Sequence, residues 1–369
     1  MSSPSIKQLA AILTILFCSG AVGATPEPRV SGVTSPNGRL AVEFRLDAAG
    51  APRYAVKLGG KLLLQDSRLG LVREDADFSK GLRLAAESRT ETVRDRYEIL
   101  TAKRRLNTYF ANRKVFHLQS AASKKMDIIF QVSNDGVAFR YFFPEANARV
   151  HRLSEEVSSF HMLSGTRAWL QPMSVARSGW EKTNPSYEEF YEKEIAVGTP
   201  SPTGAGWVYP ALFRSGDTWL LLSETGLTRN YCGTRLRSES PDGEYQVGFP
   251  DARENFPGGG VNPESKLPWL TPWRIIAIGS LKTIVESTLG VDLANKPSRP
   301  ANSSIKPGKA SWSWPLLGDN QTIYEVQKRF IDYAAEMSWR YCLIDALWDK
   351  QIGYGRVKEL IDYARTKQV

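Results

Sequence analysis

Cysteine, histidine and long apolar runs are all scarce in this chain. There are three cysteines and three histidines in 369 residues. Cys18 lies in an N-terminal leader, so Cys232 and Cys342 are the only cysteines of the remaining chain. So few cysteines exclude a small disulfide-stapled scaffold and a cysteine-built zinc site. His117, His151 and His161 have no spacing suited to a shared metal. An oxidising compartment permits a Cys232–Cys342 disulfide. The two read as lying in different domains, Cys342 in a buried strand, which points to two buried free thiols. No apolar run reaches the roughly 20 residues of a membrane-spanning helix, so no stable membrane insertion is expected. The net charge of +9 is scattered, with Lys103-Arg104-Arg105 and Lys124-Lys125 as its densest points. A nucleic-acid binder concentrates such charge on one element, and no nucleic-acid partner is expected. Internal repeats and low-complexity segments are absent as well.

What is present begins with a tripartite leader. Lys7 supplies a positive start, Leu9–Phe17 a short apolar run, and Ala21-Val22-Gly23-Ala24 the small residues of a signal-peptidase site. Residues 1–24 therefore read as a signal peptide cut after Ala24, and the mature protein as periplasmic or secreted. Leu16 and Phe17 are too large for a lipid-anchoring site at Cys18. The residues that follow are enough for two domains or more.

From Arg29 to about Asp292 the pattern is strands and turns. Arg39-Leu40-Ala41-Val42-Glu43-Phe44-Arg45-Leu46 alternates apolar with polar, the period of a half-buried strand. Ser35-Pro36-Asn37-Gly38 before it has turn chemistry. Tyr54–Leu58 and Lys61–Leu64 flank Gly59-Gly60 as a hairpin, and Met126–Val132 and Val137–Phe143 flank Asn134-Asp135-Gly136 as another. Trp219–Leu222 and Tyr245–Phe249 continue the series. So many strands with so little helix imply a large sandwich over residues 29–295.

The character changes at Pro297, Pro300 and Pro307, which mark a linker over 296–305. Lys309–Trp314 reads as a short apolar strand. Ile323, Val326, Phe330, Ile331, Ala334 and Met337 then recur at helical spacing. Tyr341–Ala346 reads as a second strand with both faces buried, and Val357, Leu360, Ile361 and Ala364 mark a second helix. This is how a parallel α/β domain begins. Residues 306–369 are too few for a complete (β/α)8 barrel, which takes about 250 residues. The fold class expected is multidomain: an all-β super-sandwich, then the first two βα units of a barrel that is incomplete.

Several segments carry more than period. Ser35-Pro36-Asn37-Gly38, Ser67-Arg68-Leu69-Gly70-Leu71, Asn134–Tyr141, Pro185-Ser186-Tyr187-Glu188-Glu189, Thr271-Pro272-Trp273-Arg274, Ile284-Val285-Glu286-Ser287, Lys306–Trp314 and Phe330–Met337 occur in this order. Together they resemble glycoside hydrolase family 97, from about Gly32 to the end of the chain. The resemblance implies an exported enzyme hydrolysing α-linked glucosides or galactosides, with an oligosaccharide or α-glycoside as partner. It also implies a calcium cofactor near the catalytic centre, to which the sandwich donates one carboxylate. That ligand is Glu188 or Glu189, a choice consistent with the preference of hard Ca²⁺ for oxygen.

Trp312 and Trp314 are expected to end the first barrel strand, and Asp345, Trp348 and Asp349 the second. These are the candidate substrate-binding residues, since sites in this fold gather at the C-terminal ends of strands. Indoles offer flat faces to a sugar, carboxylates accept from its hydroxyls, and the family's pocket-lining tryptophan carries over to Trp314. Trp314-Pro315-Leu316-Leu317 departs from the family, which often has another tryptophan or an acidic residue here. No catalytic acid, base or nucleophile is assigned. Glycoside hydrolysis needs two flanking carboxylates, and the family's come from later strands, a glutamate base in inverting members or an aspartate nucleophile in retaining ones. The alternative is a non-catalytic carbohydrate-binding sandwich, which predicts exposed aromatics among Trp169, Trp180, Trp207 and Trp219.

Overall fold

The structure, a computed structural model, describes residues 1, 30–99, 103–176, 190–255, 259–296 and 306–369. The leader, most of the linker, Trp180, Glu188 and Glu189 lie outside them. The chain divides into two compact units, one of residues 1–98 and 106–294, the other of 99–105 and 295–369.

The first unit is a sandwich. Strands Ser31–Thr34, Leu40–Leu46, Pro52–Leu58 and Lys61–Arg68 form a four-stranded antiparallel sheet in sequence order. A 16-stranded sheet supplies the other layer. The strand Leu40–Leu46 buries alternate residues, so Leu40, Val42 and Phe44 enter the core while Glu43 and Arg45 stay outside. Rings from both sheets interlock there. Phe44 stacks on Phe116 at 4.2 Å, and Tyr54 meets Phe130 and Phe139 at 5.9 and 5.3 Å. Such pairs add about 0.5–1.5 kcal/mol each beyond the area they bury.

Alternation fails where the large sheet is covered twice. Trp273–Gly279 is buried at six successive positions. Its inward side joins the main core, and Trp273, Ile275 and Ala277 pack outward under Ile284 and Leu289. Those two residues belong to the helices Leu281–Glu286 and Leu289–Asp292. A strand with two covered faces reads as a continuous apolar run.

The segments carrying the resemblance prove to be joints. The backbone N–H of Asn37 donates to Asn134 Oδ1 at 3.0 Å, tying the turn at Ser35–Gly38 to the hairpin at Asn134. Ser287 Oγ donates to Asp135 Oδ2 at 2.8 Å, bringing in the Ile284–Ser287 segment. The Gly70 N–H donates to the Tyr141 hydroxyl at 2.9 Å. Gly70 has φ +130°, and a Cβ there would lie 2.5 Å from Phe78 O, so only glycine fits.

The second unit opens with two strands paired in parallel, Ala310–Trp312 and Tyr341–Leu343, with Ser311 opposite Cys342. Helices Trp314–Leu317 and Tyr324–Glu336 connect them, and Trp348–Gln351 and Gly353–Thr366 follow. Val326, Ile331 and Ala334 are buried as the helical period requires, but Ile323 and Met337 flank the helix and are exposed. The same inward face carries a polar residue, Gln327, at 0% exposure.

Two expectations need correction. The second strand is not buried on both faces, since Tyr341 is 37% and Leu343 48% exposed. Cys232 and Cys342 are free but only partly buried. Burial still pushes the Cys232 thiol up to about 12 and raises that of Cys342. Among the described residues no helix is long and apolar enough to cross a membrane.

Candidate functional site

The site residues of the second unit follow from the strand Ala310–Trp312 and the turn into the helix at Ser313, whose backbone is already helical at φ −76°, ψ −30°. Successive side chains point to opposite faces. Ser311 and Ser313 turn inward: Ser311 Oγ donates to Phe330 O at 2.8 Å, and Ser313 Oγ accepts from Gln327 Nε2 at 3.0 Å. This accounts for the buried glutamine, whose amide fixes the strand's end against the helix. Gly308 keeps the strand close to its neighbour, because a Cβ there would lie 2.7 Å from the Tyr341 ring.

Trp312 and Trp314 take the other side and stack, with ring centroids 5.6 Å apart and planes 16° from parallel. Each indole is held by a carboxylate. Trp312 Nε1 donates to Asp345 Oδ2 at 2.7 Å, and Trp314 Nε1 donates to Asp319 Oδ1 at 2.8 Å. Asp345 Oδ1 accepts from the Ala346 N–H at 2.6 Å. The result is a partly exposed aromatic wall, Trp312 being 37% exposed, edged by two carboxylates that keep unused lone pairs. A sugar ring can lie on such a face while its hydroxyls donate to the carboxylates.

The candidates do not end the strands as expected. The strands stop at Trp312 and Leu343; Trp314 opens the helix Trp314–Leu317, and Trp348 and Asp349 open Trp348–Gln351. All still lie at or just beyond the C-terminal ends of two parallel strands, the place where such sheets carry sites. The structure gathers Trp312, Trp314 and Asp345. Trp348 instead packs edge-on against Tyr354 at 5.0 Å in the unit's small core. Asp349 is exposed and makes no hydrogen bond or ion pair among the described residues. Asp319 was missed by sequence reasoning. Its one local signal is Gly318 at φ +70°, which turns the chain so that the next residue faces Trp314.

A second constellation lies in the sandwich. Arg274, 1% exposed, grips Glu156 through Nε and Nη2 at 2.9 and 2.6 Å, and donates from Nη1 to Glu224 Oε2 at 2.6 Å. The Tyr231 hydroxyl donates to Glu156 Oε2 at 2.8 Å, and Thr234 donates from N and Oγ1 to Glu224 at 2.8 and 2.6 Å. Burial raises the Glu224 carboxyl above its ordinary range, with Arg274 the strongest influence pulling it back. Burial also opposes the Arg274 charge, but Glu156 and Glu224 outweigh it and hold the guanidinium protonated. Arg274 belonged to a segment singled out in the sequence, while its partners did not, because they stand 118 and 50 residues away. Glu224 lines a cleft of about 470 Å³ with Tyr209, Cys232, Thr234, Arg235 and Glu254. With Glu156 and Glu224 each accepting three hydrogen bonds from within, the network is a clamp that joins strands.

The calcium ligand expected at Glu188 or Glu189 falls outside the described residues. Among the described residues no three histidine, cysteine, aspartate or glutamate side chains converge to hold a metal.

The family model described as "Glycosyl-hydrolase 97 N-terminal" matches residues 33–297, and the chain belongs to glycoside hydrolase family 97. It is 33% identical to a "Probable retaining alpha-galactosidase" of Streptomyces bingchenggensis (strain BCW-1), over 92% of this chain and 51% of that protein. Among solved structures, one described as a beta-arabinopyranosidase is 37% identical with TM-score 0.85, over 92% of this chain and 54% of that one. A family 97 enzyme from Pseudoalteromonas sp. strain K8, in complex with panose, shares the fold at 20% identity and TM-score 0.73, over 92% and 53%. The chain thus spans about half the length of the relatives it matches.

Proposed function

We propose that this chain is the N-terminal part of an exported glycosidase acting on α-glycosides of galacto configuration, and that it supplies the wall of the sugar pocket but not the catalytic carboxylates. The observation that carries this is the stacked Trp312–Trp314 pair with Asp345 and Asp319 bound to its indole N–H groups. Each aspartate already holds an indole donor, which suits a group that orients rings and accepts hydroxyls better than one that delivers a proton. Hydrolysis needs two carboxylates in acid and nucleophile or base roles, and the family resemblance assigns both to later strands.

The galacto preference is supported by two relatives above 30% identity, named for α-galactosides and β-arabinopyranosides. In the L series a β-arabinopyranoside has the ring configuration of an α-galactopyranoside and lacks only its hydroxymethyl group. One pocket shape accepts both.

The test offers aryl α-galactoside, aryl β-L-arabinopyranoside and aryl α-glucoside, with calcium, to the chain alone and to the chain joined to the second half of the Streptomyces relative. The chain alone is expected to show no turnover above the uncatalysed rate. The joined protein is expected to prefer the two galacto-configured substrates, and Trp314→Ala to lower its kcat/KM about tenfold, near the upper range for one lost aromatic contact. Turnover by the chain alone that Asp345→Asn or Asp349→Asn abolishes would place the catalytic carboxylates here. A preference for the glucoside would overturn the specificity. Calorimetry of the chain alone should find no tight calcium site, because one donated glutamate leaves most of a shell of about 6–8 oxygens to water.

Export to the periplasm or beyond is supported by the residues of the leader. N-terminal sequencing of the processed protein should begin between Ala24 and Pro28. An intact Met1 in the exported fraction would refute this.

A further inference from the structure

The tryptophans of the sandwich divide by environment. Trp207 is fully buried, whereas Trp169 and Trp219 are partly exposed on the large sheet. Three adjacent strands, Arg167–Pro172, Trp207–Ser215 and Thr218–Thr225, place Arg167 opposite Arg214 and Arg214 opposite Trp219. Residues directly opposite in neighbouring strands share a face, so Arg167, Arg214 and Trp219 form one row across it. The Trp169 and Trp219 rings meet at 5.0 Å, and the Arg214 guanidinium caps both at 5.6 Å.

Two features of this row work against stability. Like charges directly opposite one another are unfavourable, yet Arg167 faces Arg214. Glu194, which binds Arg214 at 3.0 Å, holds a left-handed backbone at φ +57°, an arrangement that costs roughly 1–3 kcal/mol and gathers at functional positions. The side chains of Arg167 and Asp217 make no hydrogen bond or ion pair among the described residues. They join Trp219 and Arg214 around a shallow depression of about 580 Å³ between the turns at Gly165 and Gly216.

We propose that this depression is a second, non-catalytic binding site for a neutral pyranose unit of an oligosaccharide or polysaccharide. The indole provides an apolar face. Arg167 provides unspent forked donors for adjacent hydroxyls, and Asp217 an unspent acceptor. The four charged groups, Arg167, Arg214, Asp217 and Glu194, sum to zero, which disfavours acidic and basic saccharides alike. The depression is open and shallow, so it suits a unit within a chain rather than an enclosed monosaccharide. The choice of a saccharide rests on the glycosidase reading; the location does not.

The experiment is native gel electrophoresis of the full chain through gels containing a neutral galactomannan, a neutral α-glucan or an anionic pectin. Neutral polymer is expected to retard the protein. The double substitution Arg167→Ala, Asp217→Ala should weaken that retardation at least about tenfold, since tenfold is the scale of losing even one charge-assisted hydrogen bond. Trp219→Ala should abolish it. Because Trp219 also packs on the second core, the surface pair keeps the test decisive if that variant folds poorly. Retardation unchanged in the double variant, absent with both neutral polymers, or seen only with pectin would overturn the proposal. Retardation lost in Trp312→Ala alone would assign sugar binding to the pocket wall and also overturn it. Retardation intact while the chain joined to the second half of the Streptomyces relative turns over none of the aryl glycosides would instead count against the glycosidase reading.

Discussion

Replacing Arg274 with methionine should destabilise the sandwich by about 3–5 kcal/mol, the cost of breaking a buried ion pair by removing one partner. Glu156 and Glu224 would be left buried and facing each other without a cation. In a unit of this size that corresponds to a fall in Tm of roughly 10 °C. The deficit should depend on pH in a definite direction. The folded Glu224 carboxyl already stands above its ordinary 4.5 because burial disfavours its charge, and Arg274 pulls against that shift. Without Arg274 the folded value moves further up. A carboxyl whose folded value is raised binds protons more tightly in the native state, so its stability is greatest below the unfolded value and is lost as pH rises through the folded one. The gap between variant and wild type should therefore widen from pH 4.5 upward. Thermal melts across that window, followed by circular dichroism, are the measurement. Arg274→Lys should fall between the two, since an ammonium keeps the charge but not the fork. A methionine variant as stable as wild type, or a gap that narrows with rising pH, would show that the clamp carries no net stabilisation.

Limited proteolysis should cut first between Asp292 and Lys309 and leave a resistant core from the first unit. That unit has a continuous core drawn from both sheets. The buried core cluster of the second unit comprises Ile331, Ile352 and Leu360, with Leu316 and Tyr354 each 78% exposed. Its two strands of three residues each are too short to make a stable sheet, and they leave open edges. Residues 306–369 expressed alone should lack a cooperative melt, whereas residues 30–294 should melt cooperatively. Equal protease resistance across both regions, or cooperative unfolding of the short fragment, would overturn this reading.

Particular elements explain how much was legible beforehand. The strand at Leu40–Leu46 and the hairpins at Gly59-Gly60 and Asn134-Asp135 were readable because alternation and turn chemistry are local. The hairpin loops fall where expected, between Leu58 and Lys61 and between Ser133 and Gly136. Helix period identified the buried face of Tyr324–Glu336 but overran its ends at Ile323 and Met337. Gln327 escaped notice because polarity normally argues for exposure. It is tolerated inside because its amide donates to Ser313 and the Gln321 carbonyl.

The sequence by itself determined the strand-rich first part, the helical character of the second, the family, and the aromatic pair at Trp312 and Trp314. These depend on periodicity, on turn residues and on segments in a recognisable order, all properties of neighbours along the chain. The tertiary structure alone decided that Asp319 and Asp345 hold the two indoles, that Arg274 closes on Glu156 and Glu224, and that Arg167 is left opposite Arg214 beside Trp219. Each of these depends on strand register or chain reversal. A register shift of one residue moves a side chain to the other face, and nothing local in the sequence marks which distant strand will supply the partner.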